Sequence, residues 1–229
     1  ISDNTVEDFS RGGITANGDG SSAPDPDAII EGNTVYGYDE GSATGYWADN
    51  GIQIGWGASG VVRYNTVQDC AVTNLHWSAS GILVYDAVDE IYGNTVDNCD
   101  LGIAAYYVPS PEIFENSVSN CDVGIDDYGN TGSPVISRNC IFDNEIGIWS
   151  SSPTAMQYND IHGNDYGICV DDASATINYN SIAGNSYGVE AGVSVTTDID
   201  ATENWWGHLT GPYHASKNPG GMGDTVSDY

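Results

Sequence analysis

The groups with chemical reach in this 229-residue chain are carboxylates and aromatic rings. Two sequential acid pairs, Asp126 with Asp127 and Asp171 with Asp172, invite a reading as acid/base catalysts or Ca²⁺ ligands. Glycoside cleavage by two carboxylates needs them on opposite sides of the scissile bond, about 5 to 9.5 Å apart. Neighbours on a strand point to opposite faces, so neither pair presents both groups to one substrate. A carboxylate from each of two elements would be required, and no catalytic residue is assigned. A second set of groups lies in the stretches 15–28, 36–50 and 71–80, with Trp56 just beyond the second. Trp47, Trp56, Trp77, Tyr46 and His76 are the candidate carbohydrate contacts. Flat apolar rings support a sugar face while polar neighbours take its hydroxyls. Asp19, Asp25, Asp27, Asp39 and Asp49 are candidate Ca²⁺ ligands, although the DxDxDG loop pattern is missing. The alternative is that these aromatics fold their own loops down onto the body of the protein. Tyr85, Tyr106 and Tyr128 form a further run that suits either a glycan or a stabilising cross-strand ladder.

Softer ligands are scarce. The five cysteines are odd in number and show no CxxC or Cys/His metal spacing, so buried free thiols are the expectation, against a disulfide framework or a metal site. The charge balance is extreme: 33 Asp and Glu against 4 Lys and Arg, a formal net charge of -29. With Arg11, Arg63, Arg138 and Lys217 as the whole basic inventory, no phosphate-tracking patch can form, which excludes nucleic acid as a partner. Attraction to anionic lipid fails for the same reason, and no apolar run is long enough to insert in a bilayer. Such a balance fits a surface adapted to high salt or an extracellular setting, or one that gathers divalent cations.

The elements that must position these groups follow from an internal repeat. Its core is an aliphatic residue, two variable residues, Asn, a small residue, then Val or Ile. The anchoring residues are Asn4, Asn33, Asn65, Asn94, Asn116, Asn139, Asn159, Asn180 and Asn204. A second anchor is Gly before Ile or Val, at Gly13, Gly51, Gly81, Gly102, Gly124, Gly147, Gly167 and Gly188. Units of about 20–23 residues are too short for a βαβ crossover, and no 3.6-residue apolar period is present. Short strands at a fixed period predict an all-β chain: a right-handed parallel β-helix of about eight to nine coils. Aliphatic ladders three residues before and two after each Asn should line a dry interior, with like residues about 4.8 Å apart. The Asn residues are expected to adopt left-handed turns and to hydrogen-bond from coil to coil, the Gly anchors to turn corners at positive φ. A third ladder runs Phe9, Tyr38, Cys70, Cys99, Cys121, Asn144, Asn164, Asn185, which places three cysteines in the core. The first three coils carry the insertions: Asn33 to Gly51 spans 18 residues and Asn65 to Gly81 spans 16, against 8 in plain coils. On a solenoid such insertions become loops, and loops of neighbouring coils can share a surface.

These repeats resemble the right-handed parallel β-helix repeat family, the NosD-like or carbohydrate-binding and sugar-hydrolase group. The ending over 203–228, NWWG…GPYH…NPGG.GD.VSD, resembles the segment that closes β-helix arrays in surface proteins of archaea and some bacteria. The resemblance implies the fold and an extracellular or cell-surface, archaeal setting, to which the charge balance adds a halophilic one; it names no activity. The pectin hydrolases of this fold carry a Gly-His-Gly element that this chain lacks, and lyases of the fold need Arg or Lys, here four and scattered. The NosD-like resemblance also raises copper, but His76, His162, His208 and His214 are dispersed, Met156 falls in a core ladder, and only Met222 remains as a thioether.

Two segments are expected: β-helix repeats over 1–202 and a capping segment over 203–229, where Trp206 occupies a core-ladder position and Pro212, Pro219 and Gly220 break any further strand. A start inside a repeat suggests a piece of a longer chain, with self-association through an open first coil. The function expected is a non-catalytic extracellular or cell-envelope protein with a structural, assembly or adhesion role. The alternatives are a carbohydrate-binding module or a polysaccharide-active lyase, epimerase or hydrolase working through the loops of coils one to three. No cofactor beyond Ca²⁺ is implied, and polysaccharide is the possible ligand. Because outward residues recur on every coil, the acidic residues are expected to form stripes along flat faces.

Overall fold

The structure is a computed structural model. It describes residues 1–19, 25–37, 48–72, 78–172, 174–196 and 198–227, with the side chains of Val88 and Asp89 set aside. Tyr38, Asp39, Tyr46, Trp47, His76 and Trp77 lie outside the described residues.

Each turn of the repeat folds into three short strands, because apolar β-branched residues alternate with polar ones and Gly or Asn interrupts every few positions. One coil runs through Thr95–Asp97, Leu101–Tyr106 and Glu112–Phe114, and the next begins at Ser117–Ser119. Stacked coils build three parallel sheets of eight, ten and seven strands. The register is in phase with the repeat: Val96 pairs with Val67 and Val118, Ile103 with Ile82 and Ile125, Ile113 with Ile91 and Ile136. Among the described residues no helix is long and apolar enough to cross a membrane.

The interior consists of the ladders read from the repeat. Ile30, Val62, Ile91, Ile113, Ile136, Met156 and Ile177 are buried along the seven-stranded sheet, and Val35, Val67, Val96, Val118, Ile141, Ile161 and Ile182 along the eight-stranded one. In the first coil Ile1 is exposed and Val6 and Phe9 are half-buried. Cys70, Cys99 and Cys121 are buried free thiols, as their ladder position requires, and Cys140 and Cys169 are free as well. The thiol of Cys121 is pushed up first by its neighbour Cys99 and then by burial. Burial raises Cys169 to about 12.

The anchoring Asn residues form one continuous chain of side-chain hydrogen bonds. From Asn4 to Asn204 each Nδ2 donates to the next Oδ1 at 2.9–3.1 Å. Each interior Oδ1 also accepts the backbone N–H of the Asn before it, as Asn139 does from Asn116 at 2.9 Å. The turn geometry departs from expectation in two ways. The left-handed residue is the one preceding each Asn, as at Tyr64 (φ 56°), Glu115 (φ 56°) and Tyr179 (φ 60°). A second left-handed row precedes the Cys/Asn ladder, at Asp69, Asn98, Asn120 and Asp143. The Gly anchors sit inside strands and none has positive φ. They are glycine because the coils approach closely there: a Cβ on Gly51 would lie 2.7 Å from the Gly81 carbonyl oxygen and 2.5 Å from Val67 Cγ1. Space excludes a side chain at these positions, not backbone twist.

At the far end Trp206 is 7% exposed, and a Cβ on Gly188 would meet its ring at 3.1 Å. The strands Gly223–Val226 and Pro212–Tyr213 complete the end of the ten-stranded sheet. Asp224 takes the next place in the second polar ladder, accepting from Asn185 Nδ2 at 2.8 Å.

Candidate functional site

The outer face of the ten-stranded sheet is hollowed over its first five coils into an open trough of about 1140 Å³. Strand alternation builds its floor. Ile52 and Ile54 face the core, so alternation turns Gln53 outward, as it does Leu83 and the pair Thr15 and Asn17 on neighbouring coils; Asn50 and Ser80, each just before a Gly anchor, line the trough beside them. The carboxamides hold one another in place: Asn50 Nδ2 donates to Gln53 Oε1 at 2.9 Å, and Gln53 Nε2 donates to Asn17 Oδ1 at 3.1 Å. Asn50 Oδ1 accepts the Ser80 N–H at 2.9 Å.

Aromatic rings form one side. Trp56, 45% exposed and left-handed at φ 53°, lies 5.4 Å from Tyr85, and Tyr106 follows one coil on. The tyrosine run Tyr85, Tyr106, Tyr128 is therefore a cross-strand row whose first two members line the trough. Ser10 and Arg11, Ala48 and Ser78 border the opposite side, where chain enters this sheet from the eight-stranded one.

Asp126 closes the far end. Tyr106 Oη donates to its Oδ2 at 2.5 Å, while its Oδ1 is buried and has no partner among the described residues. Burial raises this carboxyl to about 6, the Tyr106 hydrogen bond opposes the rise, and the charge of Asp127 adds to it. Tyr106 is pushed upward in turn, by burial and by the charge of Asp126. Asp127 points the other way, into the interior, where it accepts from Ser150 Oγ at 2.6 Å and from Asn130 and Thr154. The two acids of this pair thus occupy opposite faces, as strand geometry demands.

Among the described residues that line the trough, no other carboxylate stands where it can act with Asp126 on one bond. Asp126 pairs through Ala104 and Leu83 to Gln53, three strand steps of about 4.8 Å, so the Asp49 end of the trough is roughly 14 Å or more away. That exceeds the reach of a two-carboxylate hydrolase. Arg11 lies a further coil back. Arg63 and Arg138 are held outside the trough by Glu31 at 2.6 Å and Glu115 at 3.2 Å.

The model of the right-handed beta helix region matches residues 50–204, more than half of the chain. This chain belongs to the right-handed β-helix family. None of the curated proteins matches it.

Of the sequence-predicted contacts of this β-helix, Trp56 lines the trough. Tyr46, Trp47, His76 and Trp77 fall outside the described residues, but the segments carrying them re-enter at Ala48 and Ser78 on the trough border. Among the acids, Asp25 Oδ1 accepts the Asp19 N–H at 3.2 Å. Asp27 lines a separate hollow of about 250 Å³ on the seven-stranded sheet, with Glu90 and Glu112. Asp49 is buried and takes the Arg11 N–H at 2.8 Å, leaving Oδ2 without a partner among the described residues. Among the described residues none of these four shares in a converging three-ligand group. Asp172 accepts the Ser174 N–H at 2.7 Å in a turn away from the trough.

Sequence reasoning missed Asn17, Asn50, Gln53, Ser80 and Leu83. Part of their signal was available: positions two and four after each Gly anchor alternate outward, which marks Asn17, Gln53 and Leu83, whereas Asn50 and Ser80 precede their Gly and strand alternation alone does not turn them out.

Proposed function

We propose that this β-helix is a non-catalytic extracellular or cell-envelope protein that adheres to a polysaccharide laid along the trough. The observation that carries this reading is the composition of one continuous surface: Trp56, Tyr85 and Tyr106 on one side, interlocked carboxamides on the floor, and the unpartnered Asp126 Oδ1 at its end. Rings stack on sugar faces and fixed amides take sugar hydroxyls. A net charge of -29 favours a neutral glycan over an anionic one. The separation of Asp126 from other acids and from Arg11 supports holding over cutting.

Titrating Trp fluorescence with neutral and uronate polysaccharides tests this directly. A saturable change is expected with a neutral chain, lost in Trp56→Ala and weakened in Gln53→Ala, with no new reducing ends or unsaturated products. A wild-type protein silent across the panel would sink the glycan reading. Turnover of any polymer would replace holding with catalysis.

A further inference from the structure

Outside the trough, the eight-stranded sheet brings together three side chains that sequence spacing keeps apart. Cys140 begins the strand Cys140–Phe142 and Asp160 begins Asp160–His162, and the two are direct partners in the parallel register. His162 lies two residues along from Asp160, hence on the same outward face. The Cys140 Sγ, a carboxylate oxygen of Asp160 and a ring nitrogen of His162 all lie within 4.8 Å of one another. Cys140 and His162 are half-buried and Asp160 is exposed, so the group is open to solvent on one side. Among the described residues none of the three makes a side-chain hydrogen bond or ion pair. His162 is held from one side by stacking on Phe142, with ring centroids 5.4 Å apart.

We propose that Cys140, Asp160 and His162 form a binding site for a borderline-soft divalent metal ion, Zn²⁺ in the first place. One thiolate, one imidazole and one carboxylate are a zinc-type donor set, and three protein ligands leave a fourth tetrahedral position for water. Calcium and magnesium, which take oxygen donors, do not suit a set with sulfur and nitrogen. Tetrahedral closure needs only modest side-chain rotation from the present spacing, since metal–ligand bonds of about 2.0–2.3 Å bring donors closer than 4.8 Å. On binding, the Cys140 thiol gives its proton to solvent and the sulfur bonds the metal. Burial and the nearby charge of Asp160 hold that thiol protonated in the free protein, and a cation between them reverses both effects. The site is independent of the trough, on another sheet and beyond its five coils.

The experiment is a Co²⁺ titration of chelator-treated full chain, followed by Zn²⁺ competition. One equivalent of Co²⁺ should produce a thiolate-to-cobalt charge-transfer band that Zn²⁺ abolishes. Cys140→Ser should remove the band and Cys169→Ser should leave it intact. His162→Ala should weaken affinity by more than roughly tenfold, the scale of losing even a group that only supports a ligand. Unchanged urea midpoints in chelator would establish that the variants remain folded. For any that do not, protection of the Cys140 thiol from alkylation by Zn²⁺ in the wild-type protein gives the same answer. No charge-transfer band, a band that survives Cys140→Ser, or alkylation indifferent to Zn²⁺ would each overturn the proposal.

Discussion

Asp126 keeps its proton to about pH 6 because 8% exposure leaves its charge poorly solvated, and Tyr106 offers only one hydrogen bond in return. A carboxyl raised in the folded state binds its proton more tightly there than in the unfolded chain, so its contribution to stability is complete below about pH 4 and is lost as pH rises through about 6. Asp126→Asn should therefore match the wild type near pH 4 and exceed it at pH 8, by something on the order of 2–3 kcal/mol. Urea unfolding at both pH values measures the difference. Equal pH dependence in the two proteins would show that Asp126 is solvated as an ordinary carboxylate. Asp100, also raised by burial, is common to both proteins and cancels in the comparison. The pair Asp126 and Asp127 was visible in the sequence, and so was its division between two faces. Which acid faced out was not, because that depends on which strand residue meets the core.

At the scale of the element, the Asn ladder binds coil to coil more specifically than the apolar ladders do. Asn116 donates to Asn139 Oδ1 at 3.0 Å and to the Ile91 and Phe114 carbonyls at 2.9 and 3.1 Å. Its own Oδ1 accepts Asn94 N and Nδ2, both at 3.0 Å. Replacing it with Ala strands several buried polar groups, so Asn116→Ala should cost about 3 kcal/mol or more. Asn4, exposed at the ladder's end, should cost under about 1 kcal/mol on the same change. Equilibrium denaturation of both variants, with unchanged slope, checks the contrast; equal losses would mean that the ladder carries little of the stability. The ladder was legible because one side-chain type recurs at each turn. The left-handed residues before it were not, since Tyr64, Glu115 and Arg138 share no side-chain chemistry and are alike only in backbone. The Gly anchors were located correctly and explained wrongly: sequence marks where a side chain is missing, whereas only packing tells whether φ or space excluded it.

For the molecule as a whole, acidic residues recur from coil to coil, on a flat face where Glu90 pairs with Glu112 and along a corner of the coil. Among the described residues an acidic row runs along the corner between the eight- and ten-stranded sheets, through Asp100, Asp122, Glu145 and Asp165. Backbone bonds at 3.0–3.4 Å, from Asp122 N to Cys99 O and onward, put these residues on successive coils. Spaced about 4.8 Å apart, like charges repel unless salt screens them, and the screening length falls from about 10 Å at 0.1 M to about 3 Å at 1 M. The thermal midpoint should therefore rise as NaCl is raised, and Asp122→Asn should lessen that rise. A midpoint indifferent to salt would remove the corner row as a determinant of stability.

The sequence by itself determined the coil, its period and the identity of the inward ladders, because each is a local pattern repeated at fixed spacing and a solenoid places equal positions one above another. It also sets the expectation that nucleic acid is not a partner, since a phosphate-tracking patch needs more basic residues than the chain's four. Only the tertiary structure decided where the polar outward residues collect. The trough depends on which sheet the insertions border, and the Cys140, Asp160, His162 group depends on a parallel register that turns separations of about one coil in sequence into contact in space. A motif search reads neighbours along the chain; in a β-helix the neighbours that do chemistry lie on the next coil.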